Sequence, residues 1–432
     1  MRQKEASTVR QTLAEKLIAR AAGTDSVVPG EIVTVKVDLA MVHDSSGPRR
    51  LKPILERLGA TVWDPTRVAV VTDHFVPAVD AGSAAILDLT RKWVAEQGID
   101  KFYDMQGICH VVLPEHGLLR PGLFVVGGDS HSPTGGAFGA YMFGIGATDM
   151  AGVMVTGETW LEVPGTILLR WDGTLGPGVA VKDIMLHLCA VLGMDGGKYQ
   201  AVQYTGSTVD GLGMEDRMTL SNMAAELGAQ AGLIAPDETT ADYIRAAGGD
   251  PGDIAAWQGD AGADYLEVHD FDAAALAPQV AAPHSPANSA PVGDHRGEPI
   301  DQAYIGACTG AKLADLHMAA AVLKGRRVAP GVRLLVAPAS TQTTARAAAD
   351  GTLTTLTEAG AILMASGCGA CAGYGAGILA ENETCISSTA RNFKGRMGHP
   401  TARIFLGSPY TVAAAAVAGE IRDPREMLAD AP

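Results

Sequence analysis

The sequence predicts an α/β protein built mainly from parallel sheets. Short apolar runs with the length and β-branched content of strands recur along its 432 residues, and helical segments such as 312–324 and 411–421 follow them. The composition, with 52 glycines and 5% aromatic residues, suits tightly packed α/β layers with many turns. A chain of this length has room for two or three domains with cores of their own.

Two interruptions divide the chain into three predicted domains. Residues 278–299 are rich in Pro, Ala and Ser and lack apolar periodicity, so we interpret them as a linker. A softer boundary lies near residue 163, in the segment VPG. We therefore expect α/β domains over residues 1–163, 164–285 and 286–432.

Charge and hydropathy exclude several classes of protein. The formal net charge of −15 argues against a nucleic-acid partner, because a phosphate backbone needs a basic face. The N-terminal segment is expected to form a polar and then amphipathic helix, without the apolar stretch of a secretory signal. No run approaches the roughly 18 apolar residues of a membrane span. We expect a cytoplasmic protein, where clustered cysteines are more often metal-binding or catalytic than disulfide-bonded.

Reactive side chains follow four of the strand-like runs. These runs lead into Asp73-His74, Asp129-Ser130-His131, Cys308 and the segment from Cys368 to Cys371. In open α/β sheets, ligands collect beyond the carboxyl ends of the strands. The sequence therefore predicts an active site where these strands end.

Three of the six cysteines are candidate metal ligands. Cys368 and Cys371 form a C-x-x-C pair in the small-residue turn SGCGACAGYGAG, which leaves room for a bulky inorganic group. Cys308, in IGACTG, is the candidate third thiolate. Three thiolates without an obvious fourth suit a [4Fe–4S] cluster with one iron left open. A zinc site and the absence of any metal remain alternatives on spacing alone.

Histidines beside carboxylates are candidate proton donors and acceptors. A carboxylate can fix the imidazole tautomer and raise its pKa, and Asp73-His74, His110 and the Asp129–His131 segment offer this pairing. A solvated loop is the alternative for each of these segments. A serine hydrolase is disfavoured because Ser130 lacks the G-x-S-x-G context.

Two arginines close together are candidates for binding a carboxylate. Arg391 and Arg396 lie in SSTARNFKGRMGHP, and guanidinium groups hold planar anions through two parallel hydrogen bonds. A surface loop is the alternative. Phosphate recognition is less favoured, because no phosphate-binding fingerprint is present.

Together these motifs resemble the aconitase superfamily, and within it the separate large subunits of 3-isopropylmalate dehydratase and homoaconitase. The resemblance runs over nearly the whole chain. The segments that carry it include VDLAMVHD, VVTDHF, GICHVVLPEHG, GGDSHSPTGGAFGA, SNMAAELGA, IGACTG, SGCGAC and RNFKGRMG.

The resemblance implies a three-domain, aconitase-like α/β fold and a role for each candidate residue. It implies a [4Fe–4S] cluster with one iron not ligated by protein, held by Cys308, Cys368 and Cys371. It implies that Asp73 and His74 protonate the departing hydroxyl. The full catalytic set that it implies is Asp73, His74, His110, Asp129, His131 and Glu226. The substrate-binding residues that it implies are Arg391, Arg396, Ser130, His43 and Asn222.

The resemblance also implies a partner and a reaction. In the family, the base that removes the α-proton is a serine on a small swivelling domain, whose N-F-G-x-G-S-S-R-E segment has no match here. We therefore expect a separate small subunit that supplies this serine. The expected activity is that of a hydro-lyase on a small 2-hydroxy diacid, first 3-isopropylmalate, with homoaconitate, dimethylmalate, methylmalate or maleate chemistry as alternatives. A non-catalytic, cluster-bearing regulatory protein is the alternative of another class.

Two departures from the family pattern fall beside the proposed cluster. The family commonly has S-C-T-N where this chain ends the motif with Gly310, and N-R-N-F where this chain begins with Ala390. Each departure removes an amide side chain, so we expect the hydrogen bonding around the cluster to differ.

Overall fold

The computed structural model describes residues 10–429, which form four sheets with helices packed against them. The helices are α1 Leu13–Ala22, α2 Pro48–Leu58, α3 Ala81–Gln97, α4 Cys109–Glu115, α5 Ala147–Thr156, α6 Val181–Leu192, α7 Ser207–Asp210, α8 Met214–Met223, α9 Glu238–Ala246, α10 Leu313–Leu323, α11 Thr341–Ala349, α12 Thr352–Glu358, α13 Pro409–Ala418 and α14 Pro424–Ala429. The strands are β1 Ile32–Lys36, β2 Leu39–His43, β3 Val68–Thr72, β4 Lys101–Asp104, β5 Phe124–Gly127, β6 Tyr141–Gly144, β7 Glu158–Glu162, β8 Thr166–Asp172, β9 Ala201–Thr205, β10 Ala231–Ile234, β11 Glu267–Asp272, β12 Gln279–Ala281, β13 Ser289–Pro291, β14 Gln302–Ile305, β15 Arg333–Val336, β16 Ile362–Leu363, β17 Thr384–Ser387 and β18 Arg403–Gly407.

The first large sheet is entirely parallel, with strand order β4-β3-β2-β5-β6. Its central strands, such as Val68–Thr72, are buried along their whole length because helices cover both faces. This confirms the apolar runs before Asp73 and Asp129 as strands. Parallel strands end at one edge, so the polar residues that follow them are brought together.

A four-stranded parallel sheet follows, with strand order β10-β9-β8-β11. The remaining large sheet has seven strands in the order β13-β12-β18-β17-β14-β15-β16. Its pairs are parallel except where β12 joins β13 and β18. The predicted α/β class with mainly parallel sheets is therefore confirmed. Strands β1 and β7 form a separate antiparallel ribbon.

The interpretation of residues 278–299 as a linker is wrong. The segment contains β12 and β13, which pair with each other, and β12 also pairs with β18 of the seven-stranded sheet. Val280 is fully buried in the core of that sheet. Strands of three residues are too short to show alternation, so proline and serine dominated the sequence pattern. The bounds 1–163, 164–285 and 286–432 stay predictions, and β12 and β13 lie on opposite sides of the last one.

Shared cores join the sheets around one region. One apolar cluster contains Leu169 and Tyr204 of the four-stranded sheet together with Tyr304 and Leu406 of the seven-stranded sheet. Another joins Met41 of the five-stranded sheet with Met214 of α8 and with Cys308. The ends of β3, β5 and β14 therefore face a common space. Within residues 10–429, no helix combines the length and apolar character that crossing a bilayer requires.

Candidate active site

One side of the site, here called the histidine wall, consists of His43, Asp73, His74, His110, Asp129 and His131. Strands β2, β3 and β5 end at the same edge of the five-stranded sheet and deliver most of these residues, and the first turn of α4 delivers His110. The imidazoles of His43 and His74 stack with their centroids 4.1 Å apart. Their side chains therefore form a continuous polar surface.

His74 and Asp73 form a buried pair. Nδ1 of His74 lies 2.6 Å from Oδ1 of Asp73, and the backbone N–H of Cys109 donates to the other carboxylate oxygen at 2.9 Å. Asp44 fixes the turn from behind, because its carboxylate accepts the backbone N–H groups of His74 at 3.1 Å and Phe75 at 2.9 Å. The pair is thus held by backbone contacts as well as by its own hydrogen bond.

Electrostatics keeps this pair charged near neutral pH. Burial works to lower the pKa of His74, but the charge of Asp73, the hydrogen bond to it and the charges of Asp129 and Asp44 raise the pKa to about 9. Burial works to raise the pKa of Asp73, but the charges of His74 and His43 and the His74 hydrogen bond hold that pKa well below its usual range. An imidazolium beside a carboxylate is a positioned proton donor.

A second network runs from His110 to Arg391. Nε2 of His110 lies 2.7 Å from Oδ1 of Asp129, which also accepts the backbone N–H of His131 at 2.8 Å. Nε2 of His131 lies 3.0 Å from Oε1 of Glu226. The same Glu226 oxygen accepts Nε of Arg391 at 2.8 Å. Five predicted site residues are therefore linked in one chain of contacts.

Arg391 reaches from this network to the surface of the site. A terminal nitrogen of its guanidinium donates to Oγ of the exposed Ser130 at 2.8 Å. Burial works to raise the pKa of Glu226, but its hydrogen bond to His131 and the Arg391 charge lower it. Glu226 is therefore anionic, and it orients the guanidinium that the sequence predicts to bind substrate.

The opposite side, here called the cysteine wall, consists of Cys308, Cys368, Cys371 and Arg396. Cys308 follows β14, and the other two cysteines follow β16. Ala307 has φ 68°, in the left-handed region, so the chain turns sharply between β14 and Cys308. All three thiols are free and line the same cavity as Asp73, His74, His110, Asp129 and His131.

The spread of the thiols bears on which metal group they fit. Thiolates around one zinc ion, with Zn–S about 2.3 Å, lie about 3.8 Å apart. Among residues 10–429, the groups of three or more His, Cys, Asp or Glu residues whose ligand atoms all lie within 4.8 Å are His43-Asp44-Asp73-His74 and His110-Asp129-His131. Neither contains a cysteine, so Cys308, Cys368 and Cys371 do not place all three sulfur atoms within 4.8 Å of one another.

The thiols differ in their surroundings. A hydrogen bond from the Cys368 thiol and the positive charge of Arg396 outweigh burial and lower the pKa of Cys371 to about 6. Burial raises the pKa of Cys308 to about 12. The fully buried Asn222 donates from Nδ2 to the Cys308 sulfur at 3.2 Å. Asn222, predicted to bind substrate, thus contacts a proposed metal ligand.

The two departures from the family pattern are packed in different ways. A Cβ atom on Gly310 would lie 2.3 Å from both Cβ and Oγ of Ser388, so the space of the usual asparagine is already filled. Oγ of Ser388 accepts the backbone N–H of Gly306 at 3.0 Å, which links Ser388 to the segment that leads into Cys308. Ala390, by contrast, lines the cavity itself, together with the three thiols.

Sequence reasoning missed two residues that organise the site. Asp44 follows His43 at the end of β2. The only sequence signal for Asp44 was its position beside a histidine at the end of a strand. Lys182 lies in α6, far along the chain from the motifs, and its Nζ reaches the backbone oxygens of Ser388 and Thr389. Nothing in the sequence around Lys182 signals this contact.

A comparison with known families agrees with this geometry. The sequence model of the aconitase family (aconitate hydratase) matches residues 15–299 and 293–419, which together cover most of the chain.

The chain belongs to the aconitase family.

Named relatives in other organisms are similar along nearly their whole length. The chain is 45% identical to 3-isopropylmalate dehydratase large subunit 1 of Methanopyrus kandleri, over 97% of this chain and 100% of that protein. It is 44% identical to the probable methanogen homoaconitase large subunit of Methanothermobacter thermautotrophicus, over 97% of this chain and 98% of that protein. A third relative is the 3-isopropylmalate dehydratase large subunit of Aquifex aeolicus, 43% identical over 96% of this chain and 98% of the relative.

Among solved structures, the fold is similar to the crystal structure of Thermococcus kodakaraensis aconitase X in its holo-form. The TM-score is 0.50 and the sequence identity 14%, over 85% of this chain and 88% of the other. At this identity, the likeness supports the aconitase-like fold.

Proposed function

We propose that this member of the aconitase family is the large subunit of an iron–sulfur hydro-lyase that removes water from, and returns it to, a small 2-hydroxy diacid. The first candidate substrate is 3-isopropylmalate. One observation carries the proposal: three free thiols open on a cavity whose opposite wall holds a histidine kept protonated by an adjacent carboxylate. A dehydration needs both a group that polarises the hydroxyl and an acid that protonates it.

The donor set fits a [4Fe–4S] cluster. Cys308, Cys368 and Cys371 would hold it, with the small side chains of Ala307 and Ala390 leaving space beside them. Three thiolates for four irons would leave one iron without a protein ligand. When bound, such a group supplies a Lewis acid that polarises the substrate hydroxyl without any change of oxidation state.

The histidine wall supplies the proton. His74 would donate from its imidazolium to the departing hydroxyl, and Asp73 would stabilise the charged ring before and after transfer. Asp129 would keep His110 and His131 oriented toward the same space through its two contacts. In the hydration direction, His74 takes the proton back from water, and its pKa of about 9 makes it a competent acceptor.

Arginines would bind the two carboxylates of the substrate. Arg391 is positioned by Glu226 and Ser130, and Arg396 lines the cavity beside Cys371. Among the described residues, Nε of Arg396 is buried without a hydrogen-bond partner, so this N–H is available to donate to an anionic ligand.

A separate small subunit would supply the base that removes the α-proton. The relatives named as large subunits match this chain over 98–100% of their own length, which supports a division of the enzyme into two chains. Proton abstraction needs a base within about 3 Å of the reacting carbon, opposite the group that polarises the hydroxyl. The family resemblance implies a serine of the small subunit for this role.

The test is a hydration and dehydration assay on anaerobically reconstituted protein. The chain is assayed with 3-isopropylmalate and with homoaconitate, alone and after mixing with a candidate small subunit. We expect a cluster in the chain alone and turnover only in the mixture. Full activity of the chain alone would overturn the two-subunit proposal, and a cluster-replete mixture inactive on every 2-hydroxy diacid would overturn the hydro-lyase proposal.

A further inference from the structure

Lys182 of α6 is an ammonium group buried behind the cysteine wall. Its side chain is 2% exposed. Nζ donates to the backbone oxygens of Ser388 and Thr389, each at 2.6 Å, and to Oγ1 of Thr309 at 3.3 Å. The acceptors satisfy its three protons, but all of them are neutral groups.

The positive charge of Lys182 has no direct anionic partner. Within residues 10–429, no carboxylate lies within 4.0 Å of its Nζ. The adjacent Asp183 is turned away and accepts the backbone N–H groups of Ala180 at 2.7 Å and Gln279 at 2.8 Å. The nearby Lys312, equally buried, has Asp315 at 2.7 Å. The carboxylate whose charge acts most on Lys182 is that of Asp315, but Asp315 is already engaged by Lys312. A further anion beside Lys182 would therefore offset the cost of burying its charge.

The contacts of Lys182 point to where that anion would be. Thr309 directly follows Cys308, while Ser388 and Thr389 lead through Ala390 into Arg391. After the larger effects of Asp315 and Lys312, Cys308 and Cys371 are the groups whose charge, when they are ionised, acts on Lys182. A cluster of four irons with overall charge 2+ and three thiolates would carry a net charge of about −1 in front of this ammonium.

We propose that Lys182 is a positioning residue that supplies the counter-charge of the iron–sulfur cluster. Through its contacts with Thr309, Ser388 and Thr389, it also holds the segment before Arg391 against the segment that contains Cys308. This inference rests on the cluster of the proposed function. Its consequence is that two substrate-facing elements, a metal ligand and a carboxylate-binding arginine, share one anchor on a helix that contributes no ligand itself. Such an outer contact typically changes metal affinity by about 10–100-fold.

The experiment compares Lys182→Met, which removes the charge and the donors, with Lys182→Gln, which removes the charge but keeps two N–H donors on a side chain that is one bond shorter. Lys198→Met, at an exposed surface lysine, is the matched control for a change in net charge. The readouts on reconstituted protein are the midpoint potential of the cluster and the rate of iron release to a chelator. The melting temperature of the cluster-free protein reports folding separately.

We expect both Lys182 variants to lower the midpoint potential, because reduction adds negative charge that the ammonium no longer offsets, and to release iron about 10-fold faster. The control should match the wild type. An unchanged potential in Lys182→Gln would overturn the counter-charge, even if melting changed. A wild type that takes up no cluster would instead overturn the proposed function, and this inference with it.

Discussion

The histidine wall and the cysteine wall face each other across one cavity but are completed in different ways. His74, His110 and His131 each have a carboxylate oxygen within 3.0 Å. The sulfur of Cys308 has an amide donor at 3.2 Å, and Arg396 on the same wall has a buried nitrogen without a partner among the described residues. The imidazoles of the first wall are thus oriented by protein carboxylates, although Nδ1 of His110 is also buried without a partner among the described residues, whereas the second wall has no such carboxylate pairs and has polar capacity left for a ligand.

Because of this difference, we expect a substitution in one wall to leave the structure and function of the other wall intact. Carboxylate–imidazole pairs hold the histidine wall in its working geometry with or without a metal group. The cysteine wall depends on its ligand for completion, as metal sites generally couple binding to local order. Substitutions can therefore separate the loss of the cluster from the loss of acid catalysis.

The largest expected effect is on the cluster itself. Replacing any one of Cys308, Cys368 and Cys371 by Ala should abolish the broad visible absorption of thiolate-bound iron, because the cluster would lose one of its three protein ligands. Iron analysis should find about four irons per chain in the wild type and fewer in each of these three variants. Cys109→Ala is the sharpest control, since Cys109 lines the same cavity without belonging to the proposed ligand set. Equal tolerance of all four changes would contradict the ligand assignment.

The second prediction concerns a substitution in the histidine wall that leaves the cysteine wall unchanged. His74→Ala should lower turnover of the two-subunit enzyme by about 10²–10⁴-fold, which is the usual contribution of a general acid–base group. The visible spectrum of the cluster should not change, because His74 is not a proposed ligand. His269→Ala, at a histidine paired with Glu267 on another sheet, serves as the control. A wild-type rate in His74→Ala would remove His74 from the mechanism.

The third prediction concerns Arg391, which contacts Glu226 and Ser130. Arg391→Lys should raise KM for the diacid by about 10–100-fold, because an ammonium cannot reproduce the planar contacts to Glu226, Ser130 and a carboxylate. The rate at saturation should fall less. Arg403→Lys, in a surface ion pair with Glu298, should leave KM unchanged. A large fall in kcat with constant KM would assign Arg391 to the chemical step instead.

The smallest effect is a shift in pH dependence. The His74 imidazolium is present below its pKa of about 9 and is lost as pH rises through that value, so dehydration should decline on the alkaline side. Asp73→Asn removes the negative charge that contributes most to raising this pKa, so the alkaline limb should move to lower pH by at least about one unit. A pH–rate profile of both proteins measures the shift, and coincident alkaline limbs would contradict the assigned proton donor.

Strand ends were predictable because their signal is local. The runs before Asp73, Asp129 and Cys308 are short, apolar and β-branched, and the structure places each as a parallel strand. Nine of the fourteen predicted site residues line one cavity for the same reason, since parallel strands deliver their following loops to one edge. The other five are His43, Ser130, Asn222, Glu226 and Arg391. The roles of Glu226 and Asn222 came from the family resemblance, whereas the arginines were already candidates from the chemistry of the guanidinium group. All of these roles stay predictions.

Through-space contacts were not predictable from the same patterns. Asp44 acts by accepting backbone N–H groups of the segment after β3, about 30 residues away in sequence. Lys182 meets Ser388 across 206 positions, and no periodicity records such a contact. The strands β12 and β13 were hidden because the prolines and serines of their segment resemble a linker, while β18, which pairs with β12, lies over 100 residues later.

The close packing of Gly310 against Ser388 restricts how this sequence can change over time. A Cβ at position 310 would also meet the backbone oxygen of Ser388 at 2.6 Å, so trimming the serine side chain alone would not make room. Substitutions at the two positions are therefore epistatic. A lineage with this backbone geometry can acquire the asparagine that the family resemblance implies at position 310 only after the segment around residue 388 has shifted. The glycine and asparagine forms are therefore separated by an intermediate sequence that packs poorly in either backbone arrangement.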